Sequence, residues 1–134
     1  MFHQRAESPL RLNGLEAARR FFAGCLAETD PLREHLWVAH VDDQARCLHL
    51  TRHDGDGGGS TLPLREVIAD AAVHGSAGLI LAHNHPSGDP TPSPADRALT
   101  KRLVLIGEAM DVAVLDHLVM AGGQCSSMRA MGLL

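Results

Sequence analysis

The chain has 134 residues and a formal charge of −4, so it is long enough for about one domain. Twelve Lys and Arg residues face sixteen Asp and Glu residues, and the few basic residues do not cluster, which disfavours nucleic acid as a partner. No apolar run approaches the ~20 residues of a membrane helix, and the N-terminus lacks the pattern of a secretory signal. The sequence therefore predicts a globular cytoplasmic protein without a membrane partner. Its three widely spaced cysteines are predicted to be reduced and non-catalytic.

The predicted elements alternate between helices and short strands. Residues 1–11 are interpreted as a flexible N-terminal lead-in, and apolar residues at helical spacing predict a helix over 14–28. Further along the chain, the pattern predicts strands at 36–41 and 45–52, a Gly-rich loop at 55–59, a helix at 64–74, an apolar strand at 77–82, a proline-rich loop at 84–94, a helix at 94–110, a strand at 112–120 and a tail at 122–134 with room for another strand. This order predicts an α/β fold with a single mixed β-sheet flanked by helices.

One segment carries residues with the chemistry of a metal site. His83 and His85 end the apolar strand, and Asp96 follows the proline-rich loop in the first turn of the next helix. Residues i and i+2 of an extended chain point to the same side, about 7 Å apart at Cα, so both imidazoles can face one ion. Two imidazoles and a carboxylate with an open fourth position are typical of a catalytic zinc site.

Two simpler interpretations of the same residues stay open. Ser93-Pro94-Ala95-Asp96 is also a good helix start, with Ser93 as N-cap, Pro94 at the first helical position and an acid three residues after the cap. A His-x-His pair can also arise by chance in a chain with nine histidines. The cap and the metal site are compatible, because a capped helix would hold Asp96 in a fixed position.

The string HNHPSGDPTPSPAD resembles the HxH(x7)SxxD motif of the JAMM (JAB/MPN) metalloprotease superfamily. Together with DRALTKRL and LDHL, it is most similar to the RadC-like branch. The resemblance runs from about Leu12 to the C-terminus, which implies a RadC-like JAB/MPN domain over 12–134 with a JAB/MPN-like (cytidine-deaminase-like) architecture. RadC-like proteins usually carry an additional N-terminal helix-hairpin-helix region; this sequence has no room for one, which weakens the expectation of a DNA-directed role.

The resemblance also implies roles for individual residues. His83, His85 and Asp96 would bind Zn²⁺ with a water as the fourth ligand. Glu34 matches the general acid/base of the superfamily, and Ser93 matches the serine that helps to stabilise the oxyanion. Glu34 can also be interpreted as an exposed acid ahead of a strand. Glu66 is the alternative base, although an acidic side chain suits the start of a helix without any catalytic task.

Other polar residues near the motif have structural interpretations. Asn84 should face away from its two histidine neighbours and form a structural hydrogen bond. For Asp116-His117, support of the metal ligands and an ordinary strand-end position both stay open. The histidines predicted to be surface or packing residues are His35, His40, His49, His53 and His74.

The leading functional prediction is a zinc-dependent hydrolase of peptide or isopeptide bonds that acts on a peptide or protein substrate. The alternatives are a non-catalytic metal-binding JAB/MPN interaction module and a metal-dependent nuclease linked to DNA repair. The low basic charge argues against the nuclease. Loops 55–59 and 86–92 are candidates for the borders of a substrate groove, and neither the substrate nor the oligomeric state follows from the sequence.

Overall fold

The computed structural model describes residues 10–54 and 62–134 as five strands and three helices. The elements are α1 (Leu15–Ala27), β1 (His35–Val41), β2 (Cys47–Asp54), α2 (Leu64–Val73), β3 (Gly78–Asn84), α3 (Pro94–Ala109), β4 (Ala113–Ala121) and β5 (Gln124–Ser127). The predicted α/β fold with one mixed sheet flanked by helices is confirmed. None of the described helices is long and apolar enough to cross a membrane.

Two of the segments predicted to be irregular lie largely outside the described residues. These are residues 1–9 of the predicted lead-in and the Gly-rich loop at 55–59. The lead-in was predicted to extend to residue 11, but Leu10 and Arg11 already pair with the chain that enters β2. The Leu10 carbonyl accepts a hydrogen bond from the Cys47 N–H at 2.8 Å, and Arg11 forms a β-bridge with Arg46.

The order of the strands brings three chain segments to one edge of the sheet. The sheet runs β2-β1-β3-β4-β5, and β3 and β4 are parallel whereas the other neighbours are antiparallel. Helix α3 is the crossover between β3 and β4, so the carboxyl ends of both strands lie at the same edge. Leu36 of β1 lies opposite His83 of β3, which brings the segment just before β1 to this edge as well.

The two faces of the sheet carry separate apolar cores. Helix α1 covers the face formed by residues such as Trp37, Ile80 and Leu118, whereas α2 and α3 cover the face formed by residues such as Val38 and Leu81. Strands β1 and β3 are buried along their whole length, as expected for strands covered on both faces. Because side chains alternate along β3, the residue two positions after Leu81 points toward α3.

Helix α3 is fixed at both ends. At its start, Ser93 Oγ accepts from the Asp96 N–H at 3.0 Å and Asp96 Oδ2 accepts from the Ser93 N–H at 2.8 Å, which confirms the predicted N-cap as a capping box. Near its end, a Cβ on Gly107 would lie 2.4 Å from the Val112 carbonyl oxygen. Only glycine allows the chain that leads into β4 to pass the helix so closely.

Strand β3 is longer than the apolar run that predicted it. The predicted strand ended at Ala82, but the observed strand continues through His83 and Asn84. The strand pairing continues there, with His83 opposite Leu36 and Val119 and Asn84 opposite Met120. The Asn84 side chain adds two hydrogen bonds, because its Oδ1 accepts from the His35 N–H at 2.8 Å and its Nδ2 donates to the Arg33 carbonyl at 2.8 Å. This is the structural role that strand alternation predicted for Asn84.

Candidate metal centre

Three donor atoms converge at the carboxyl end of β3. His83 Nε2 lies 3.0 Å from His85 Nε2, and each of these nitrogens lies 3.2 Å from Asp96 Oδ2. We call these three atoms the donor triangle. Ligand atoms at 2.0–2.1 Å from a tetrahedral zinc ion stand about 3.3 Å apart. The edges of the donor triangle therefore match the spacing of zinc ligands.

Glu34 lies beside this triangle. Glu34, His83 and His85 each offer one donor atom, and these atoms lie within 4.8 Å of one another. Glu34 is clamped by its neighbours, because Asn84 binds the backbone of Arg33 on one side and of His35 on the other.

Glu66, the alternative base, occupies a different environment. Its side chain is 68% exposed on α2 and contacts His53, with 3.3 Å between His53 Nδ1 and Glu66 Oε2. Of the two carboxylates left open by the sequence, the structure brings Glu34 to the histidines.

The proline-rich loop orients His85. His85 Nδ1 lies 2.8 Å from the Asp89 carbonyl oxygen, and the His85 N–H donates to the Met120 carbonyl at 2.8 Å. A carbonyl oxygen only accepts, so Nδ1 carries a proton and Nε2 of the neutral ring has its lone pair free to face the triangle. Asp89 is held in turn, because its Oδ1 accepts from the Thr91 N–H at 2.9 Å.

Asp96 is a buried carboxylate. Burial by itself raises its pKa, but the hydrogen bond and charge of His83, together with the contacts to Ser93, hold the pKa well below its ordinary value. The same oxygen, Oδ2, accepts from the Ser93 N–H and faces both histidines. The helix cap and the metal-ligand interpretation of Asp96 therefore coexist in one geometry.

Ser93, the predicted oxyanion stabiliser, lies at this cap. Its Oγ accepts from the Asp96 N–H at 3.0 Å, which leaves its own hydroxyl proton to be donated to another group. Its position one turn from Asp96 places it next to the donor triangle.

A second layer of hydrogen bonds lies behind His83. His83 Nδ1 is 2.8 Å from His117 Nε2, and His117 Nδ1 is 2.7 Å from Thr100 Oγ1. The Thr100 hydroxyl donates to the Asp96 carbonyl at 2.7 Å. His117 is buried, and burial lowers its pKa to about 3, so its ring is neutral at pH 7.

Thr100 is not among the residues that the sequence motif indicates. A signal was present, because Thr100 lies four residues after Asp96 and therefore on the same face of α3. That face is the one that meets His83 and His117 in the structure.

The neighbouring Asp116 has a different role from His117. Its Oδ2 accepts from Ser127 Oγ at 2.6 Å, and its Oδ1 accepts from the backbone N–H groups of His117 at 2.7 Å and Arg129 at 3.1 Å. Of the Asp116-His117 pair, only His117 contacts a residue of the donor triangle, and Asp116 fixes the turn after β5.

A second group of histidines lies between β1, β2 and α2. We call His40, His49 and His74 the α2 histidine cluster; the rings of His49 and His74 stack with their centroids 3.9 Å apart. His40 Nδ1 lies 2.9 Å from Ser76 Oγ, and its buried Nε2 has no hydrogen-bond partner among the described residues. Within residues 10–54 and 62–134, the donor atoms of this cluster do not converge as those of Glu34, His83 and His85 do.

The three cysteines are free thiols in the structure. Burial raises the pKa of each thiol, that of Cys25 to about 11, so none is a thiolate at neutral pH. The prediction that they are reduced agrees with this, and their lack of a catalytic role stays a prediction.

Comparison with known proteins places most of the chain in one family. Residues 12–133 match the RadC-like JAB domain. A UPF0758 protein of Chloroflexus aggregans is 39% identical over 102 residues, which are 75% of this chain and 44% of the relative. In Escherichia coli K12, the UPF0758 protein YkfG is 42% identical over 103 residues (76% of this chain, 65% of the relative), and YfjY is 36% identical over 129 residues (96% and 79%).

The aligned part thus spans less than half the length of the Chloroflexus aggregans relative. The match nevertheless includes every residue of the donor triangle and its surroundings, since all of them lie within 12–133. The chain therefore belongs to the RadC-like JAB domain family.

Proposed function

We propose that the chain is a zinc-dependent hydrolase of amide bonds, in which His83, His85 and Asp96 hold the metal. The observation that carries the proposal is the spacing of the donor triangle, with edges of 3.0, 3.2 and 3.2 Å. Two imidazoles with one carboxylate are the donor set of many catalytic zinc sites. Membership of the RadC-like JAB family, which is related to metal-dependent hydrolases, supports the same reaction class.

The charge distribution also favours a cation in the triangle. Asp96 Oδ2 is a carboxylate oxygen that accepts from the Ser93 N–H, and His85, whose Nδ1 proton is held by the Asp89 carbonyl, presents the lone pair of its Nε2. Acceptor atoms only about 3 Å apart repel one another unless a proton or a metal ion lies between them. A divalent cation would satisfy all three donor atoms at once.

Different residues of the chain would then carry out different parts of the reaction. When bound, zinc supplies a Lewis acid that polarises the scissile carbonyl and lowers the pKa of water to about 7. Glu34 accepts a proton and returns it to the leaving amine, a step typically worth ~10²–10⁴-fold in rate. The Ser93 hydroxyl donates to the developing oxyanion, which contributes roughly 10²–10³-fold.

We propose a peptide or protein as the substrate, cleaved at a peptide or isopeptide bond. The site supports this, because His85 is 16% exposed and the proline-rich loop beside it lies on the surface. A macromolecule could therefore approach Glu34 and His85 at the edge of the sheet.

The test measures zinc content and cleavage together. We expect about one zinc per chain and zinc-dependent cleavage of a peptide library or of isopeptide-linked peptides, followed by mass spectrometry. Asp96→Asn is the matched control, because the amide oxygen can still accept from the Ser93 N–H while the carboxylate is lost.

The possible outcomes separate the three functions considered. Zinc binding without any cleavage would favour the non-catalytic interaction module, and zinc-dependent degradation of plasmid or single-stranded DNA would favour the nuclease. Protein that stays metal-free in excess zinc would contradict the proposed site itself.

A further inference from the structure

The hydrogen bonds behind His83 form a closed ring with the donor triangle. From His83 Nδ1 they pass to His117 and Thr100 and end on the backbone carbonyl of Asp96, whose side chain faces His83 Nε2. Every contact behind the triangle is 2.7–2.8 Å long, and all the residues involved are buried. This ring links strand β3, which supplies His83, to helix α3, which supplies Asp96.

The partners determine the direction of each hydrogen bond. Thr100 has a single hydroxyl proton and gives it to the Asp96 carbonyl, so its oxygen accepts from His117 Nδ1. His117 is buried, and its two nitrogens contact the Thr100 hydroxyl and the His83 ring rather than a carboxylate, which favours a ring with a single proton. With that proton on Nδ1, its Nε2 accepts from His83 Nδ1. His83 therefore keeps a proton on Nδ1, and the nitrogen that can present a lone pair is Nε2.

We propose that Thr100 and His117 are positioning residues that hold the proton on His83 Nδ1 and thereby make Nε2 the metal-binding nitrogen. The inference rests on the proposed metal site, because it assigns how one of its ligands is oriented. Partners that orient a ligating histidine typically change metal affinity by 10–100-fold when they are removed. Thr100 acts on the metal site only through its contact with His117 and the contact of His117 with His83. It is therefore a positioning residue and not a catalytic one.

The first experiment compares two substitutions at one position. Thr100→Val keeps the shape of the side chain but removes the acceptor for His117, so zinc affinity should fall about 10–100-fold in a competition with a chromogenic chelator. Thr100→Ser restores the hydroxyl and should bind zinc within a few-fold of the wild type.

Thr51→Val is the matched control. The Thr51 hydroxyl is buried on β2 with no hydrogen-bond partner among the described residues, so the same change there should leave zinc affinity unaltered. Equal affinities of Thr100→Val and Thr100→Ser would overturn the inference. A wild type that binds no zinc would instead overturn the proposed function, so the two failures are distinguishable.

The second experiment reads the proton positions without any metal. Nitrogen-15 spectra of the histidine side chains in the metal-free wild type should show His117 with a protonated Nδ1 and a bare Nε2. In Thr100→Val that preference should be lost, and in Thr100→Ser it should return. A proton on His117 Nε2 in the wild type would overturn the inference, even if the Thr100→Val protein fails to fold.

Discussion

Two groups of histidines in this molecule contrast in how their nitrogens are used. At the donor triangle, the Nδ1 atoms of His83 and His85 are each held from behind, by His117 and by the Asp89 carbonyl, and their Nε2 atoms meet at 3.0 Å. In the α2 histidine cluster, His49 and His74 instead contact through their ring faces. The difference lies in the groups that orient each ring.

Distance between rings does not distinguish the two groups. The His83 and His85 centroids are 4.7 Å apart, whereas the stacked His49 and His74 centroids are closer, at 3.9 Å. What distinguishes them is the direction of the donor atoms: those of His83 and His85 converge, whereas those of the α2 histidine cluster do not, although His40 Nδ1 is also held, by Ser76 Oγ. Closely packed histidines alone are therefore a poor indicator of a metal site.

The largest expected effect comes from breaking the donor triangle. His83→Ala and Asp96→Asn should each lower zinc affinity more than 100-fold, beyond the 10–100-fold typical of residues that only orient a ligand. The same substitution in the other group, His49→Ala, should leave zinc binding unchanged. Metal analysis after dialysis, together with chelator competition, measures the zinc affinity of the variants in both groups.

The same measurement of zinc binding could assign the metal to the other group of histidines. If His49→Ala or His74→Ala removed zinc while His83→Ala retained it, the metal would belong to the α2 histidine cluster. The interpretation of the donor triangle would then be wrong.

A second prediction separates the two candidate bases. Glu34→Gln should bind zinc normally and lose ~10²–10⁴-fold in turnover, because the amide cannot accept and return the proton. Glu66→Gln is the control, since that carboxylate is exposed and contacts His53 rather than the triangle. Steady-state rates on a cleaved peptide, with zinc content measured in parallel, test the pair; equal rates for Glu34→Gln and wild type would remove Glu34 from the mechanism.

The sequence predicted the secondary-structure elements more completely than the residues around the candidate site. Apolar periodicity predicted the three helices and strands β1 to β4, because burial on one or two faces leaves a pattern in the order of side chains. It did not locate β5, for which the sequence predicted only room in the tail at 122–134. It ended β3 too early, at Ala82, since the last two residues of that strand, His83 and Asn84, are polar although they still pair with β4. A pattern of apolar residues does not register a strand that continues through polar residues.

For the site, the motif indicated the residues of the donor triangle but assigned no role to His117 and Thr100 behind them. His117 was left with two open interpretations, and Thr100 was not selected. His117 reaches the site through long-range pairing, because β4 lies beside β3 only in the folded sheet and places His117 next to Leu81 in register. Thr100 has a local signal, its spacing from Asp96, but its role depends on His117. A single sequence records such neighbours only as ordinary buried polar residues.

A third prediction concerns Asp116, which sits next to His117 but faces other partners. Asp116→Ala should lower the free energy of unfolding by about 1–3 kcal/mol, because it leaves the Ser127 hydroxyl and two backbone N–H groups without their acceptor. Its effect on zinc affinity should be smaller than that of Thr100→Val. Urea unfolding and chelator competition measure the two quantities; a loss of zinc equal to that of Thr100→Val would place Asp116 with the metal ligands.

The smallest expected effect lies in the α2 histidine cluster and appears only in acid. Burial lowers the pKa of His40 from 6.5 to about 4, against a smaller opposing effect of Asp70. Between these two pH values the unfolded chain binds a proton at His40 that the folded chain does not, so stability is full above pH 6.5 and falls as the pH drops toward 4. His40→Gln keeps an amide that can hydrogen-bond the Ser76 hydroxyl as donor or acceptor but cannot titrate, so its unfolding free energy should depend on pH less steeply, by up to about one proton. Urea unfolding of metal-free wild type and variant at several pH values from 4.5 to 7 gives the slopes, and parallel curves would show that His40 is protonated as readily in the folded protein as in the unfolded chain.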